Sequence, residues 1–232
     1  GQNYPSLQLI VMDGGSVDNT VDILKSYGSQ ILWRSEPDNG QADAINKGLR
    51  LATGDLIAYI NSDDYYLPGS FSAVALAYQQ NPQCGFFFGD VQAVWHNGNP
   101  KGLIKGGIIT RTEMIYRARF IPQQAAFWTR EAMHQSGEFN TDLNYALDHD
   151  YFIRLSRVTR STYIARTLAT FRFHQTNKSV IAEHRHWQEV MTVCRKHGLK
   201  QTHFWFWFRL IKHYGLRLFP SFLQTKIRKI LN

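Results

Sequence analysis

Along its first eighty residues the chain alternates short apolar runs with stretches in which apolar residues recur every three or four positions. "LQLIVM" (residues 7–12) closes in "DGGS", which predicts a buried strand and then a turn. "SVDNTVDILKSYG" follows as a helix, with Ser16, Asp18 and Asn19 as cap candidates and Gly28 as its stop. "QILWRSEP" reads as a second strand ended by Pro37. "GQADAINKGLRLATG" reads as a helix with Ala42, Ile45, Leu49 and Ala52 on one stripe. "DLIAYIN" is a third strand, and "PGSFSAVALAYQQNP" a third helix with Pro68 near its first turn. This alternation predicts an α/β fold with a mixed, mostly parallel sheet and flanking helices.

The pattern then changes. "GFFFGDVQAVWHNGNPKGLIKGG" predicts two antiparallel strands joined at "HNGNP". "QQAAFWTREAMHQSGEF" resumes as strand and helix, and "DHDYFIRLSR" as a short amphipathic helix. "STYIARTLATFRFHQ" reads as a strand pair, and the chain from Ile181 onward as basic and helical.

Hydrophobic content of 44% with 19% charged residues is that of a folded chain, which excludes general disorder. Cys84 and Cys194 stand far apart in no metal or redox motif, so a reducing, cytoplasmic setting is expected, and no secretory signal opens the sequence. The net charge of +8 admits nucleic acid, anionic lipid or phosphate-bearing ligands. Its location narrows the choice. "HFWFWFRLIKHYGLRLFPSFLQTKIRKILN" interleaves aromatics and leucines with Arg and Lys, which suits a helix lying on the inner face of an anionic membrane; a helix packed on the domain is the other reading. No apolar run reaches the roughly 18 to 20 residues of a bilayer span. Nucleic acid is not expected as a partner, since no recognisable motif for it is present.

Chemistry concentrates at the predicted strand ends, where open α/β sheets bind ligands. "NSDD" places Asp63 and Asp64 together at the tip of an apolar strand. If the backbone stays extended, Asn61 and Asp63 share a face and Asp64 points away. One carboxylate and an amide suit a magnesium-type ion that keeps waters and substrate phosphates, but a turn pair before the next helix is equally consistent. "MDGGS" puts Asp13 beside two glycines at another strand end, which reads either as a close approach to a flat ligand or as a structural turn. Neither G-x-G-x-x-G after a strand nor a P-loop is present. In "LDHDYFIRL" one of Asp148 and Asp150 reads as a helix cap, Asp148 by its position; the second carboxylate is less readily explained that way, and a positioned Asp can accept a proton from a hydroxyl. His174 follows an apolar run and gains a role only if the fold brings it to "NSDD".

Taken in order, "VMDGGSVDNT", "SEPDNGQADAINKGLRLATGDLIAYINSDD", "IPQQAAFWTREAMHQSGEF", "LDHDYFIRL" and "FRFHQTNKS" resemble the family 2 inverting glycosyltransferases of the GT-A fold. The likeness runs over residues 4–180, which implies a GT-A-like domain over 1–180 and a basic aromatic extension over 181–232. It implies transfer from a nucleotide-sugar donor to a saccharide or lipid-linked acceptor, with Mg²⁺ or Mn²⁺ on the donor diphosphate. Asp13 matches the acid that contacts the base or ribose. Asp63 matches the D-x-D-like metal residue, with Asp64 beside it, and His174 a histidine that approaches the metal in some members. Asp148 matches the general base. Gln41 and Asp43 lie in donor segments, and Gln124 and Asp150 are assigned to the acceptor side.

Three departures follow from the same likeness. Asn61 stands where many members have the first metal Asp, and Leu147 where many have Glu. Members usually open with a further strand–turn–helix unit of about 30 to 40 residues. Its lack here implies either a fragment or an incomplete donor site.

Overall fold

The computed structural model describes residues 2, 4–174, 177 and 182–200. The first part contains β1 (Ile10–Asp13), α1 (Thr20–Ser26), β2 (Leu32–Ser35) and α2 (Gln41–Leu51). Next come β3 (Leu56–Ile57), β4 (Tyr65–Tyr66), α3 (Ser70–Gln80), β5 (Cys84–Trp95) and β6 (Pro100–Ile104). The remainder is α4 (Arg111–Arg117), β7 (Ala126–Thr129), α5 (Arg130–Ser136), α6 (Leu147–Val158), β8 (Arg160–Phe173) and α7 (Glu183–Lys196).

The mixed sheet has the strand order β3-β7-β5-β8-β4, with β6 added against β5. Parallel pairing belongs to the long β5–β8 pair and to a separate β1–β2 pair. The shorter pairings of β3, β4, β6 and β7 are antiparallel. Strand β5 is the buried axis. Because side chains alternate across a strand, Phe86 and Phe88 enter one core and Phe87 the opposite one. On the first face they meet Trp128, Tyr151 and Phe152, under helices α2, α4, α5, α6 and α7. On the second, Phe87 packs with Phe127, Leu168 and Val74 of α3. Full burial of each Phe stabilises the fold by about 1.5–3 kcal/mol.

Two expectations change. "STYIARTLATFRF", expected as a strand pair, lies in one continuous strand. Where β5 advances from Phe88 to Asp90, β8 advances from Tyr163 to Thr167, so Ile164, Ala165 and Arg166 form a bulge rather than a turn. Gly89 sits under that bulge, and a Cβ there would lie 2.7 Å from the Arg166 carbonyl oxygen. The strand expected at "DLIAYIN" pairs only at Leu56 and Ile57. Beyond them Gln123 Nε2 donates to the Tyr59 carbonyl at 2.8 Å, so a side chain replaces the ladder partner.

Helix α7 shares the main core. Val190, Val193 and Cys194 are buried in the same cluster as α4 and α6. The rest of the C-terminal reading, residues 201–232, lies outside the described residues. Among the described residues no helix is long and apolar enough to cross a membrane.

Candidate functional site

"NSDD" is a turn in the structure, closed by the Asp64 N–H donating to the Asn61 carbonyl at 3.1 Å. The two carboxylates therefore part by turn geometry and not by strand alternation. Asp63 keeps about a third of its side chain exposed (36%) and faces His174, whose Nε2 lies 2.9 Å from Oδ2. Asn177 Nδ2 lies 3.0 Å from the same imidazole nitrogen. Asp64 turns inward. Its Oδ1 accepts the Arg172 N–H at 2.7 Å and its Oδ2 the Gln124 amide at 3.0 Å. Burial outweighs these bonds and pushes the Asp64 carboxyl up to about 6.

Strand β8 assembles this corner. It pairs with β4 at Thr170 and Ala169, and its next residues reach the turn. Arg172 Nε donates to the Asp63 carbonyl at 2.9 Å. Asn177 Oδ1 accepts the His174 N–H at 2.6 Å, holding the histidine's backbone. Sequence reasoning passed over Arg172 and Asn177, although both stand within "FRFHQTNKS".

Asp148 lies in the first turn of α6, half-buried. It is not the cap; Ala146 is, with no side-chain bond. Burial pushes the Asp148 carboxyl up to about 6, against the His149 N–H that donates to it at 2.7 Å.

Gln41, Asp63, Asp64, Gln124, Asp148 and His174 all line one cleft of about 1390 Å³. Thus six of the nine expected residues converge. Gln41 opens α2 and its Nε2 donates to Asn61 Oδ1 at 2.8 Å, so the amide expected beside Asp63 is itself held from α2.

The other three do not line it. Asp13 ends β1 beside Met12, which does. The Ser16 and Ser35 hydroxyls, with the Ser16 and Gly15 N–H groups, hold its carboxyl at about 2. Asp43 folds back on its own helix start, accepting the Asn39 N–H at 3.0 Å and lying 3.4 Å from Lys47. Asp150, expected on the acceptor side, is fully buried on the opposite side of α6's first turn. It meets Arg154 at 2.8 Å and His197 at 2.9 Å. The reason is helical: residues two apart point in widely different directions, so Asp148 and Asp150 cannot share a face.

Among the described residues no three His, Cys, Asp or Glu side chains gather to hold a metal. Asp63 and His174, with the Asn61 amide nearby, nonetheless fit an ion that takes few protein ligands and completes its shell with diphosphate oxygens and water.

Comparison with known proteins bears on the family and the fold. A sequence model described as Glycosyl transferase family 2 matches residues 1–137. An uncharacterized glycosyltransferase of Mycobacterium tuberculosis is 27% identical over 217 residues, covering 91% of this chain and 79% of its own. A PGL/p-HBAD biosynthesis glycosyltransferase of Mycobacterium bovis is 28% identical over 158 residues, 66% of this chain and 59% of its own. Among solved structures, a mannosyltransferase from Pyrobaculum calidifontis in complex with GDP-Man and Mn²⁺ superposes with a TM-score of 0.62 at 17% identity. That likeness covers 85% of this chain and 58% of the other, and shows a shared fold. With the family match spanning more than half of its length and the mixed GT-A-like fold in agreement, the chain belongs to glycosyl transferase family 2.

Proposed function

We propose that the chain transfers a sugar from a nucleotide-sugar donor to an acceptor hydroxyl, with inversion, in the synthesis of a cell-surface polysaccharide or glycolipid. The observation that carries this reading is the convergence of Asp63, Asp64 and Asp148 in one cleft. The GDP-Man complex of the structural neighbour and the PGL/p-HBAD biosynthesis named for a relative support it.

Asp63 and His174 form the wall where a metal–diphosphate would sit, with Asp64 fixing the turn beneath them. When bound there, Mg²⁺ or Mn²⁺ supplies Lewis-acid stabilisation of the charge leaving with the nucleotide. Gln41 reaches the same wall from α2, and Asp13 is assigned to the nucleoside from the tip of β1. Gln124 links the acceptor side to Asp64. Asp148 accepts the proton of the acceptor hydroxyl as its oxygen bonds to the anomeric carbon, opposite the departing diphosphate. One displacement on that face inverts the configuration. Asp43 and Asp150 are assigned structural roles. The basic aromatic stretch 201–232 is assigned to an anionic membrane surface on composition; flotation with vesicles, with and without residues 200–232, tests that part.

The deciding experiment incubates the chain with a panel of nucleotide-sugars and saccharide or lipid-linked acceptors, with and without Mn²⁺. Product of inverted anomeric configuration is expected. Donor binding without transfer would replace this reading by a catalytically incomplete nucleotide- or sugar-binding fragment.

A further inference from the structure

One side chain holds the loop that leads into α6. Glu189, midway along α7, accepts from three successive backbone N–H groups: Asn144 at 3.0 Å, Tyr145 at 2.7 Å and Ala146 at 3.0 Å. The cap residue Ala146 has no side chain able to serve the helix start, so Glu189 supplies the carboxylate from another element. Four residues past Ala146, Asp150 takes His197 Nε2 at 2.9 Å and Lys196 Nζ at 3.6 Å, again from the end of α7 and the residue after it. Helix α7 and the residue after it thus grip the first turn of α6 on both sides of Asp148. It is itself anchored by Val190, Val193 and Cys194 in the core.

We infer that Glu189 is a positioning residue for the sugar-transfer reaction, setting where Asp148 stands in the cleft. The inference rests on reading Asp148 as the base. Asn144, Tyr145 and Asp148 line the cleft together, so a shift of the loop moves both the acceptor wall and the carboxylate. Without Glu189, the Ala146 N–H is left buried and unpaired, and the helix start must move to recover a partner. A displacement near 1 Å at a reacting group costs on the order of 100-fold in rate.

The test compares the full chain with Glu189→Ala, Glu189→Gln and Val193→Ala, using the donor and acceptor that transfer best. Transfer kinetics and amide hydrogen exchange at residues 144–148 are both read. Glu189→Ala should lower kcat by about 10- to 100-fold, leave the donor KM within about twofold, and speed exchange at 144–146. Glu189→Gln keeps an accepting oxygen and should recover part of kcat. Val193→Ala loosens the packing of α7 without touching the loop, and should leave kcat within about threefold of the parent. Faster exchange with kcat unchanged would overturn the positioning role, as would equal losses in Glu189→Ala and Val193→Ala. An inactive parent chain would overturn the base assignment first and the positioning role with it, whereas an active parent indifferent to Glu189→Ala overturns the latter alone.

Discussion

Asp63 and His174 stand 111 residues apart in the chain and meet at 2.9 Å, carboxylate Oδ2 to imidazole Nε2. Antiparallel pairing of β4 with β8 brings them into reach, and the Arg172 N–H bond to Asp64 closes the corner. This wall of the cleft is therefore built by strand pairing rather than by a local motif.

If that wall holds a metal–diphosphate, Asp63→Asn and His174→Ala should weaken donor binding only when a divalent ion is present. At least a tenfold rise in Kd, about 1.4 kcal/mol, is expected by calorimetry with Mn²⁺. Equal weakening in chelator would remove the metal role from both residues.

A base works in its ionised form, and burial places the Asp148 carboxyl near 6. The transfer rate should be level above neutrality and fall as pH drops through about 6, to on the order of a tenth of the plateau at pH 5. Asp148→Asn should abolish transfer and keep donor binding. A rate profile flat down to pH 5 would rule out this carboxylate as the base.

Asp64 carries a cost that the fold bears at neutral pH. Burial raises its carboxyl from an ordinary 3.8 to about 6 in the folded state, which therefore resists its ionisation. Above pH 6 it is charged in both states and the whole burial cost applies. The cost fades as pH falls from 6 towards 3.8, and below that it is gone. Asp64→Asn keeps the acceptor for Arg172, and Gln124 can turn its amide to match. The substitution should raise unfolding stability by up to about 2 kcal/mol at pH 8 and by little at pH 4. A gain that does not change with pH would refute the electrostatic origin.

Asp150 behaves oppositely. Burial alone would raise its carboxyl, but hydrogen bonds from His197 and Arg154, with the charges of Arg154 and Lys196, hold it well below the usual carboxylate range. Its contribution to stability is thus complete at neutral pH and is lost in acid, as pH falls below about 4 towards the folded value. Asp150→Ala should cost about 3–5 kcal/mol at pH 7, measured by urea unfolding, with the gap to the parent closing in acid. A neutral effect at pH 7 would mean that Arg154 and His197 find other partners.

Helix existence was largely legible in advance because the apolar stripe of α2 and the period of α6 report the buried face of each element directly. Ala42 and Leu49 are buried as that stripe requires. Asn46 breaks the pattern. It is buried because its amide exchanges two bonds with the Phe139 backbone, at 2.8 and 2.9 Å, a partner 93 residues away. The β8 bulge misled for a related reason. Ile164, Ala165 and Arg166 carry no local sign that the strand runs on, and only the neighbouring strand shows that the ladder continues.

The sequence by itself determined most of the strand–helix order, the acidic segments at Asp13 and at Asp63 with Asp64, and the motif series, since each depends on neighbours within a few residues. Tertiary structure alone decided which acids face the cleft. Asp63 and Asp148 do, while Asp43 and Asp150 are claimed by Lys47 and by Arg154 with His197. It also decided that Glu189 holds the loop before Asp148. Periodicity tells a residue which way it points on its own element. What it meets there depends on packing between segments far apart in the chain, which no local pattern encodes.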